Sequence, residues 1–401
     1  MELAYGAIRW RARLRWELAR HLRKDVGALH PDVLAILELG AYQLRFMGGV
    51  PQWAAVDESV KLVRGETPAQ VARWAAGLVN AVLRSLARAE PAAPATDLPT
   101  VERLAIEHSH PEWLVARWVE RLGVDRARAL LERDNRPPPL HLKVNRRRTE
   151  PGAAIARLRE AGHDARAHSG KPDAIVIEAG AAPDALPVWD EGWFWVQDVG
   201  AQWVVEAAGG LPGGIVLDAC AAPGGKLFGL LEGSGAARAL AIDPDPARLD
   251  LARESLARLG LDGAWLAVGD ARRPPTDATF PLVLADVPCS GTGVLRRRVD
   301  ARWRRQPEDL ARFAAFQGEV LEGLADRVEE GGALVYATCS IEPEENEDVV
   351  NGFLDRHPEY RVDPIGDRVP PGLTDGPWLA TRPWADDMDG MFAARLVREP
   401  R

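Results

Sequence analysis

Two cysteines stand where a nucleophile could act. Cys289 lies in the run Asp286-Val-Pro-Cys289-Ser-Gly, and Cys339 lies in the run Tyr336-Ala-Thr-Cys339-Ser. Each run directly follows a short apolar stretch that has the composition of a buried strand. A lone cysteine is usually a small buried hydrophobe. Two cysteines at predicted strand ends favour catalysis instead, because catalytic groups collect at the carboxyl ends of parallel strands and a thiolate is a competent nucleophile.

A glycine-containing turn could hold a small polar ligand near these cysteines. It lies between a predicted strand, Gly214–Leu217, and a predicted helix, Leu227–Glu232. Glycines let the backbone approach a ligand closely, and the helix start presents free N–H groups. The turn is not G-x-G-x-x-G, which favours a nucleoside without phosphates, such as S-adenosyl-L-methionine. The small-residue turn itself consists of Ala221, Ala222, Pro223, Gly224 and Gly225, and we expect it to hold this ligand.

Acidic residues end or follow the next predicted strands. Asp243 ends Ala239–Asp243, at about the spacing at which a carboxylate meets a ribose hydroxyl. Asp270 follows the stretch 264–268, and Asp286 follows the stretch 281–285. We expect these residues to complete the cofactor site, together with Arg248: Asp243, Arg248, Asp270 and Asp286.

The elements that must position these residues alternate between strands and helices from about 199 to 337. This alternation predicts an α/β domain with a doubly wound, mainly parallel, Rossmann-like sheet. Beside a nucleoside-type methyl donor, a thiolate could add to carbon 6 of a pyrimidine and make carbon 5 nucleophilic. Such chemistry requires the target base to leave its stack.

Three runs carry a family resemblance: L-D-A-C-A-A-P-G-G-K, A-D-V-P-C-S-G-T-G-V-L-R-R and Y-A-T-C-S-I-E-P-E-E-N-E. Together they resemble the RNA 5-methylcytosine methyltransferases of the NOL1/NOP2/Sun group, over most of residues 100–400. Residues 1–88 resemble a NusB-type RNA-binding domain, on L-G-A-Y-Q-L at 39–44 and G-L-V-N-A-V-L-R at 77–84. This pairing of domains is similar to members that act on small-subunit (16S) ribosomal RNA.

The resemblance implies roles for individual residues. Cys339 would be the nucleophile, and Cys289 would assist breakdown of the covalent adduct and RNA release. Asp286 would hydrogen-bond the cytosine edge. The segment from Cys220 to Lys226 would wrap the methionine part of S-adenosyl-L-methionine, with Lys226 facing the reacting centre. Asp243 would hold the ribose hydroxyls, and Asp270 would meet the adenine amine. Three arginines would line the RNA path: Arg296, Arg297 and Arg302.

The chain is predicted to contain four segments. Residues 1–88 read as a small helical bundle in which Pro31, Pro51 and Pro68 open helices. Residues 89–136 form a linker and further helices, residues 137–198 an RRM-like α+β subdomain, and residues 199–401 the methyltransferase domain. Relatives usually carry one or two helices before the segment matching M-E-L-A-Y-G, so we expect a truncated first domain or an upstream start.

Composition limits the class of protein. A net charge of −9 argues against bulk electrostatic binding to nucleic acid, but residues 1–88 hold 13 basic and 8 acidic residues. Three scattered cysteines indicate neither disulfides nor zinc, so we expect no metal. No run of about 18 apolar residues indicates a membrane span, and we expect a cytoplasmic monomer. His108 and His110 are predicted to lie in a solvated loop.

Four functions remain after these observations. The first is an RNA cytosine carbon-5 methyltransferase that acts on small-subunit ribosomal RNA. The second is a transfer RNA methyltransferase, because the catalytic motifs do not select the RNA. The third is a non-catalytic RNA-binding assembly factor, which the presence of both cysteines, Asp286 and Lys226 disfavours. The fourth is a dehydrogenase, which the absence of G-x-G-x-x-G disfavours.

Overall fold

The computed structural model describes residues 2–178, 181–209, 213–233 and 238–400 of the 401-residue chain. The chain divides into two compact units. The helical unit comprises residues 1–136 together with 298–304, and the sheet unit comprises residues 137–297 together with 305–401. The sequence had assigned 298–304 to the methyltransferase domain, so this short segment is an exception to the predicted division.

The helices and strands have the following bounds, in chain order: α1 Glu2–Arg9, α2 Arg11–Ala19, α3 Pro31–Phe46, α4 Gln52–Glu66, α5 Ala69–Arg88, α6 Thr100–Glu107, α7 Glu112–Leu122, α8 Val124–Asn135, β1 Leu140–Val144, α9 Pro151–Glu160, β2 Ala165–His168, β3 Lys171–Ile177, β4 Phe194–Val196, α10 Val199–Ala208, β5 Ile215–Asp218, α11 Gly225–Gly233, β6 Arg238–Asp243, α12 Pro246–Leu259, β7 Ala264–Val268, β8 Phe280–Asp286, α13 Ala301–Arg304, α14 Pro307–Ala325, β9 Val328–Thr338, α15 Glu347–Arg356, β10 Tyr360–Val362, β11 Thr374–Asp375, β12 Trp378–Ala380 and β13 Phe392–Arg398.

Helices α1–α5 pack around one apolar cluster. Their apolar residues recur at helical spacing, as Val79, Leu83 and Leu86 do on α5, so that one face of each helix is buried. The three prolines predicted to open helices do so: Pro31 is the first residue of α3, and Pro51 and Pro68 are the residues before α4 and α5. The predicted small helical bundle is therefore confirmed in its architecture.

Arg302 of α13 lies at the centre of a polar cluster inside the helical unit. Its guanidinium donates to the Ser109 carbonyl (3.3 Å), the Asn135 side-chain oxygen (2.9 Å) and the Asp134 carbonyl (3.0 Å). The side chain is fully buried, and burial lowers the pKa of Arg302 to about 10. The prediction that Arg302 lines an RNA path is therefore wrong, because its donors satisfy buried acceptors of the protein itself.

His110 belongs to the same cluster, and the predicted solvated loop is also wrong there. Its Nδ1 contacts the His108 carbonyl at 2.7 Å, and its Nε2 lies 3.4 Å from the Asp134 carboxylate. The ring is buried, and burial, followed by the nearby Arg302 cation, lowers the pKa of His110 well below its usual value.

The smaller sheet of the sheet unit is antiparallel, with strand order β2-β3-β1-β4. Helix α9 packs on it, and Leu142, Ile175 and Phe194 lie in their shared core. Three of its four strands were predicted. Strand β2 was missed because its sequence, Ala165-Arg-Ala-His168, is short and lacks β-branched residues.

The larger sheet has the order β11-β12-β13-β9-β8-β5-β6-β7, with β10 paired to β13. Strands β9, β8, β5, β6 and β7 are parallel neighbours, and the strands beyond β9 are antiparallel. Helices α10, α11 and α12 share a core with one face, and α14 and α15 share a core with the other. The predicted doubly wound α/β class is confirmed, with an antiparallel extension added at one edge.

No helix in the described part of the chain is both long enough and apolar enough to cross a membrane.

Replacing Arg302 with alanine should lower the free energy of unfolding by about 3–5 kcal/mol, because three buried acceptors would lose a charged donor. Urea denaturation followed by circular dichroism measures the change. Arg304→Ala is the matched control, since its side chain is 77% exposed and only weakly paired with Asp300. Equal stability of the two variants would contradict a structural role for Arg302.

Candidate active site

The predicted cofactor turn connects β5 to α11 at the carboxyl edge of the parallel strands. The bond between Ala222 and Pro223 is cis, and Gly224 has a φ of +114°. A Cβ on Gly224 would lie 2.2 Å from the ring of Phe228, so both the backbone conformation and the space require glycine there. The structure therefore has the glycine-containing turn between a strand and a helix that the sequence pattern predicted.

A cleft of about 300 Å³ lies along this turn. Every residue from Cys220 to Lys226 lines it, and so does Asp286. The structure adds Asp218, Trp195 and Phe228 to the lining. Asp243, Arg248 and Asp270 do not line this cleft.

Asp243 and Arg248 instead contact the backbone of the turn. The Asp243 carboxylate accepts hydrogen bonds from the N–H groups of Ala222 (3.2 Å) and Asp245 (3.0 Å). Arg248 lies 3.4 Å from Asp243 and donates to the Ala222 carbonyl. Together Asp243 and Arg248 hold the Ala222 backbone in position through its N–H and its carbonyl. A contact between Asp243 and the ribose stays a prediction.

Asp270 follows β7 and is paired with Arg272. Its carboxylate accepts from the Arg272 backbone N–H (2.9 Å) and from the Arg272 guanidinium (2.7 Å). Hydrogen bonding to Arg272 lowers the pKa of Asp270. The predicted contact between Asp270 and adenine would therefore take place beside an existing ion pair, and it too stays a prediction.

Lys226 and Asp286 form an ion pair inside the cleft. The Lys226 ammonium lies 2.6 Å from the Asp286 carboxylate, and the lysine side chain is only 10% exposed. Lys226 is in the first turn of α11 and Asp286 ends β8, so the two elements that form the cleft walls are joined by charge. The lysine orients the carboxylate while leaving it 33% exposed to a ligand.

Asp218 ends β5 and is the least compensated carboxyl group of the cleft. Both of its oxygens are buried, and neither accepts a hydrogen bond of good geometry from the described residues. The Cys220 N–H and the Lys226 cation lie near enough to offset part of its charge. Burial, and then the nearby charge of Asp286, raise the pKa of Asp218 to about 7. A buried polar group without a partner is costly, which makes it a place where a bound ligand could supply a donor.

The two predicted catalytic cysteines meet at the same edge. The Cys289 and Cys339 sulfurs are 3.1 Å apart. The contact with Cys339 is the largest of the causes that raise the pKa of Cys289, and burial adds to it. Cys289 therefore retains its proton, directly beside the Cys339 sulfur.

A buried carboxylate that sequence analysis missed holds both cysteine loops. The Glu345 side chain accepts from the Ser290 N–H (2.7 Å), the Ser290 hydroxyl, the Ser340 hydroxyl (2.6 Å) and the Gln317 amide (3.0 Å). Ser290 and Ser340 each directly follow a cysteine. Glutamate is rarely fully buried. The sequence shows Glu345 only as part of the motif P-E-E-N-E, which does not indicate its hydrogen-bond partners.

Close backbone packing completes this arrangement. The Gly293 N–H donates to the Cys339 carbonyl at 3.0 Å, and a Cβ on Gly293 would lie 2.3 Å from the Gly390 carbonyl oxygen. Only glycine allows the two cysteine loops and the segment before β13 to approach so closely.

Arg296 and Arg297 contact the sheet unit's own residues. Arg296 is buried and donates to the Pro137 carbonyl at 2.7 Å. Arg297 pairs with Asp389 (2.6 Å) and Asp198 (2.9 Å). Burial acts to lower the pKa of Arg297, but the two carboxylates outweigh burial, so the pKa is raised. Contact with RNA stays a prediction for both residues, and the Arg297 side chain is 27% exposed.

Among residues 2–178, 181–209, 213–233 and 238–400, no group of three or more histidine, cysteine, aspartate or glutamate side chains is placed to hold a metal ion.

Comparisons with known proteins match all parts of this architecture. Residues 211–397 match the model of the 16S rRNA methyltransferase RsmB/F family, residues 110–182 a ferredoxin-like domain of RsmF/B-like methyltransferases, and residues 1–88 the NusB family. The ferredoxin-like match begins within the segment predicted as linker and helices.

Curated relatives match over nearly the whole chain. Ribosomal RNA small subunit methyltransferase B of Erwinia tasmaniensis is 35% identical over 99% of this chain and 90% of its own length. The protein of the same name from Citrobacter koseri is 34% identical with the same coverage.

Solved structures show the same fold. A methyltransferase homolog protein from Pyrococcus horikoshii has a TM-score of 0.64 and 24% identity, over 75% of this chain and 99% of its own. NSun6 from the same organism, solved with SFG, has a TM-score of 0.66 and 18% identity, over 73% of this chain and 99% of its own.

Asp218 should contribute a component of the free energy of unfolding that falls by up to about 4 kcal/mol as the pH rises from about 4 to about 7. Over this interval the unfolded chain ionises Asp218 while the folded protein keeps it neutral, and above about pH 7 the contribution is constant. Asp218→Asn should lack this component, as measured by urea denaturation at fixed ionic strength. The exposed Asp262→Asn variant controls for loss of a carboxylate, and identical pH profiles for all three proteins would contradict the assignment.

Proposed function

This chain belongs to the 16S rRNA methyltransferase RsmB/F family, and from that premise we propose that it methylates carbon 5 of a cytosine in small-subunit ribosomal RNA. S-adenosyl-L-methionine is the proposed methyl donor, and the reaction is proposed to pass through a covalent cysteine adduct. The observation that carries the proposal is the pair of sulfurs 3.1 Å apart, at the same sheet edge as the cofactor cleft. We further propose that the protein acts as a cytoplasmic monomer.

The chemistry of the cleft fits a cationic nucleoside ligand. Asp218 and Asp286 line it, and Lys226, which is already paired with Asp286, lines it too. A ligand with a sulfonium and an ammonium group would compensate the buried Asp218, which accepts no hydrogen bond of good geometry from the described residues. When bound, S-adenosyl-L-methionine supplies an electrophilic methyl group. The residues from Cys220 to Lys226 would hold its methionine part against the backbone of the turn.

The side chains of the site then have separate roles in the reaction of the cytosine base. The Cys339 thiolate adds to carbon 6 of the cytosine, which makes carbon 5 nucleophilic. Asp286 hydrogen-bonds the base edge while Lys226 holds its carboxylate in place. After carbon 5 is methylated, a base takes the proton from carbon 5. The electron pair of that C–H bond re-forms the double bond between carbons 5 and 6, the bond between carbon 6 and sulfur breaks, and Cys339 leaves as a thiolate.

Cys289 supports the last step. Its thiol lies next to the departing sulfur, and its raised pKa keeps a proton available there. A hydrogen bond donated by the Cys289 thiol would stabilise the departing Cys339 thiolate and so favour breakdown of the adduct and release of the RNA. Because Glu345 fixes both loops through Ser290 and Ser340, the two thiols are positioned before RNA binds.

Replacing Cys339 with alanine should reduce methyl transfer by at least about a thousandfold, because the base would lose covalent activation. Replacing Cys289 with alanine should instead trap a denaturation-resistant protein–RNA adduct. Transfer of labelled methyl groups and denaturing gels measure the two outcomes. Cofactor affinity by calorimetry should stay within about twofold for the Cys339 variant, which shows that the cleft is intact.

The Cys289→Ala/Cys339→Ala double variant is the control for the adduct. It should form none, because the bond requires the Cys339 sulfur. An adduct that persists in the double variant, or near-normal turnover by Cys339→Ala, would refute the two-cysteine mechanism.

The substrate assignment has its own test. Total RNA from a strain that lacks the gene should gain one new 5-methylcytosine, in small-subunit ribosomal RNA, when treated with the enzyme and methyl donor and mapped by bisulfite sequencing. Cys339→Ala is the negative control. A new mark only in transfer RNA would keep the chemistry and overturn the ribosomal substrate, and no mark in free RNA or in immature small subunits would overturn both.

A further inference from the structure

A groove between α4 and α5 of the helical unit has no role in the reaction proposed above. It encloses about 630 Å³ and is lined along both helices by residues at helical spacing. Trp53 and Arg64 come from α4, and Asn80, Arg84 and Arg88 come from α5. We refer to it as the α4–α5 groove.

The groove carries positive charge that the protein does not neutralise. Within the described residues, no carboxylate lies within ion-pairing distance of Arg64, Arg84 or Arg88, and all three side chains are exposed. The Arg84 guanidinium donates only to the Asn80 side-chain oxygen, at 3.0 Å. The one acidic residue of the lining, Asp57, is paired with Lys61 at 2.8 Å.

This charge contrasts with the arginines of the rest of the chain, many of which are paired. Arg297 in the sheet unit is held by two carboxylates, and Arg45 in the helical unit lies 2.5 Å from Glu17. Arg84 and Arg88 stand one helical turn apart, about 6 Å along the axis of α5. The groove therefore presents a row of guanidinium donors to solvent.

Trp53 adds an aromatic surface at the α4 side of the groove. Its side chain is 75% exposed, although burial of an indole is strongly favourable. An exposed aromatic ring beside guanidinium groups is the combination that binds unpaired nucleic acid, in which bases stack on the ring and phosphates contact the cations. A groove for an apolar protein helix would not need three unpaired cations along its length.

We propose that the α4–α5 groove binds a single-stranded segment of the substrate RNA, with a base stacked on Trp53 and the backbone held by Arg64, Arg84 and Arg88. The proposal rests on the proposed function, because it takes RNA to be the substrate. It names the surface of the helical unit that contacts RNA and assigns that unit a part in substrate capture.

The test uses the full-length protein and a fluorescein-labelled single-stranded RNA, with affinity measured by anisotropy over a salt series. Trp53→Ala should weaken binding at least about fivefold, from the loss of one stacked base. Arg64→Gln/Arg84→Gln should lower the slope of log affinity against log salt by about 1.4, since two phosphate contacts are lost. All of these side chains are exposed, so the fold should persist.

Arg23→Gln/Lys24→Gln is the matched control, because it removes two exposed charges from the same unit outside the groove. Equal effects of the two double variants on the salt slope, or unchanged affinity of Trp53→Ala, would overturn the proposal. Photocrosslinking of 4-thiouridine RNA should label the α4 peptide that contains Trp53. Groove variants that abolish self-association in sedimentation, without changing RNA affinity, would assign the groove to a second copy of the chain and also overturn it.

The same variants separate this proposal from the proposed function. Methyl transfer at saturating RNA should keep the wild-type kcat while KM rises. If the wild-type enzyme turns over and the groove variants have the same KM, only the proposal for the α4–α5 groove would be overturned. Wild-type enzyme without turnover or adduct would overturn the proposed function whatever the groove binds.

Discussion

The geometry of the candidate active site depends on the buried carboxylate of Glu345. A buried charge is tolerated only when hydrogen bonds replace its hydration. Glu345 obtains four donors from Ser290, Ser340 and Gln317, and its demand for them brings three separate chain segments to one point. Since Ser290 and Ser340 directly follow the cysteines, the network that satisfies one carboxylate also sets the distance between the two sulfurs.

The register of the parallel strands places the cleft along the glycine turn at the same sheet edge as the two cysteine loops. Asp286 pairs with Ala337 across β8 and β9, and Asp218 pairs with Leu284 across β5 and β8. The acidic residues of the cleft and the loop that carries Cys339 therefore leave the sheet at nearly the same level. The Lys226–Asp286 ion pair then joins α11 to β8 across the opening. Strand order therefore places the cleft and the two thiols at the same edge of the sheet, although their residues are distant in the chain.

The sequence predicted what depends on local pattern and missed what depends on tertiary partners. The parallel strands, the glycine turn and the proline-opened helices follow from composition and spacing within a few residues, and the structure has them. Strand β2 lacks that local signal and is held by pairing with β3. Asp218 was visible as the end of a strand, but its lack of well-placed hydrogen-bond donors depends on the surrounding packing. The position of Glu345 in the sequence does not indicate which hydrogen-bond donors surround it in the fold.

The arginines show this limit most clearly. Arg296, Arg297 and Arg302 form part of a basic run that resembles a nucleic-acid contact, yet Arg302 satisfies buried carbonyls and Arg297 satisfies buried carboxylates. In a chain with a net charge of −9, the number of arginines says little about where positive charge reaches solvent. Positive charge reaches solvent only where a guanidinium is not already paired with a carboxylate or hydrogen-bonded to a buried acceptor. By that criterion the exposed arginines of α4 and α5 retain their charge for a partner, whereas the denser run before α14 contributes to holding the protein together.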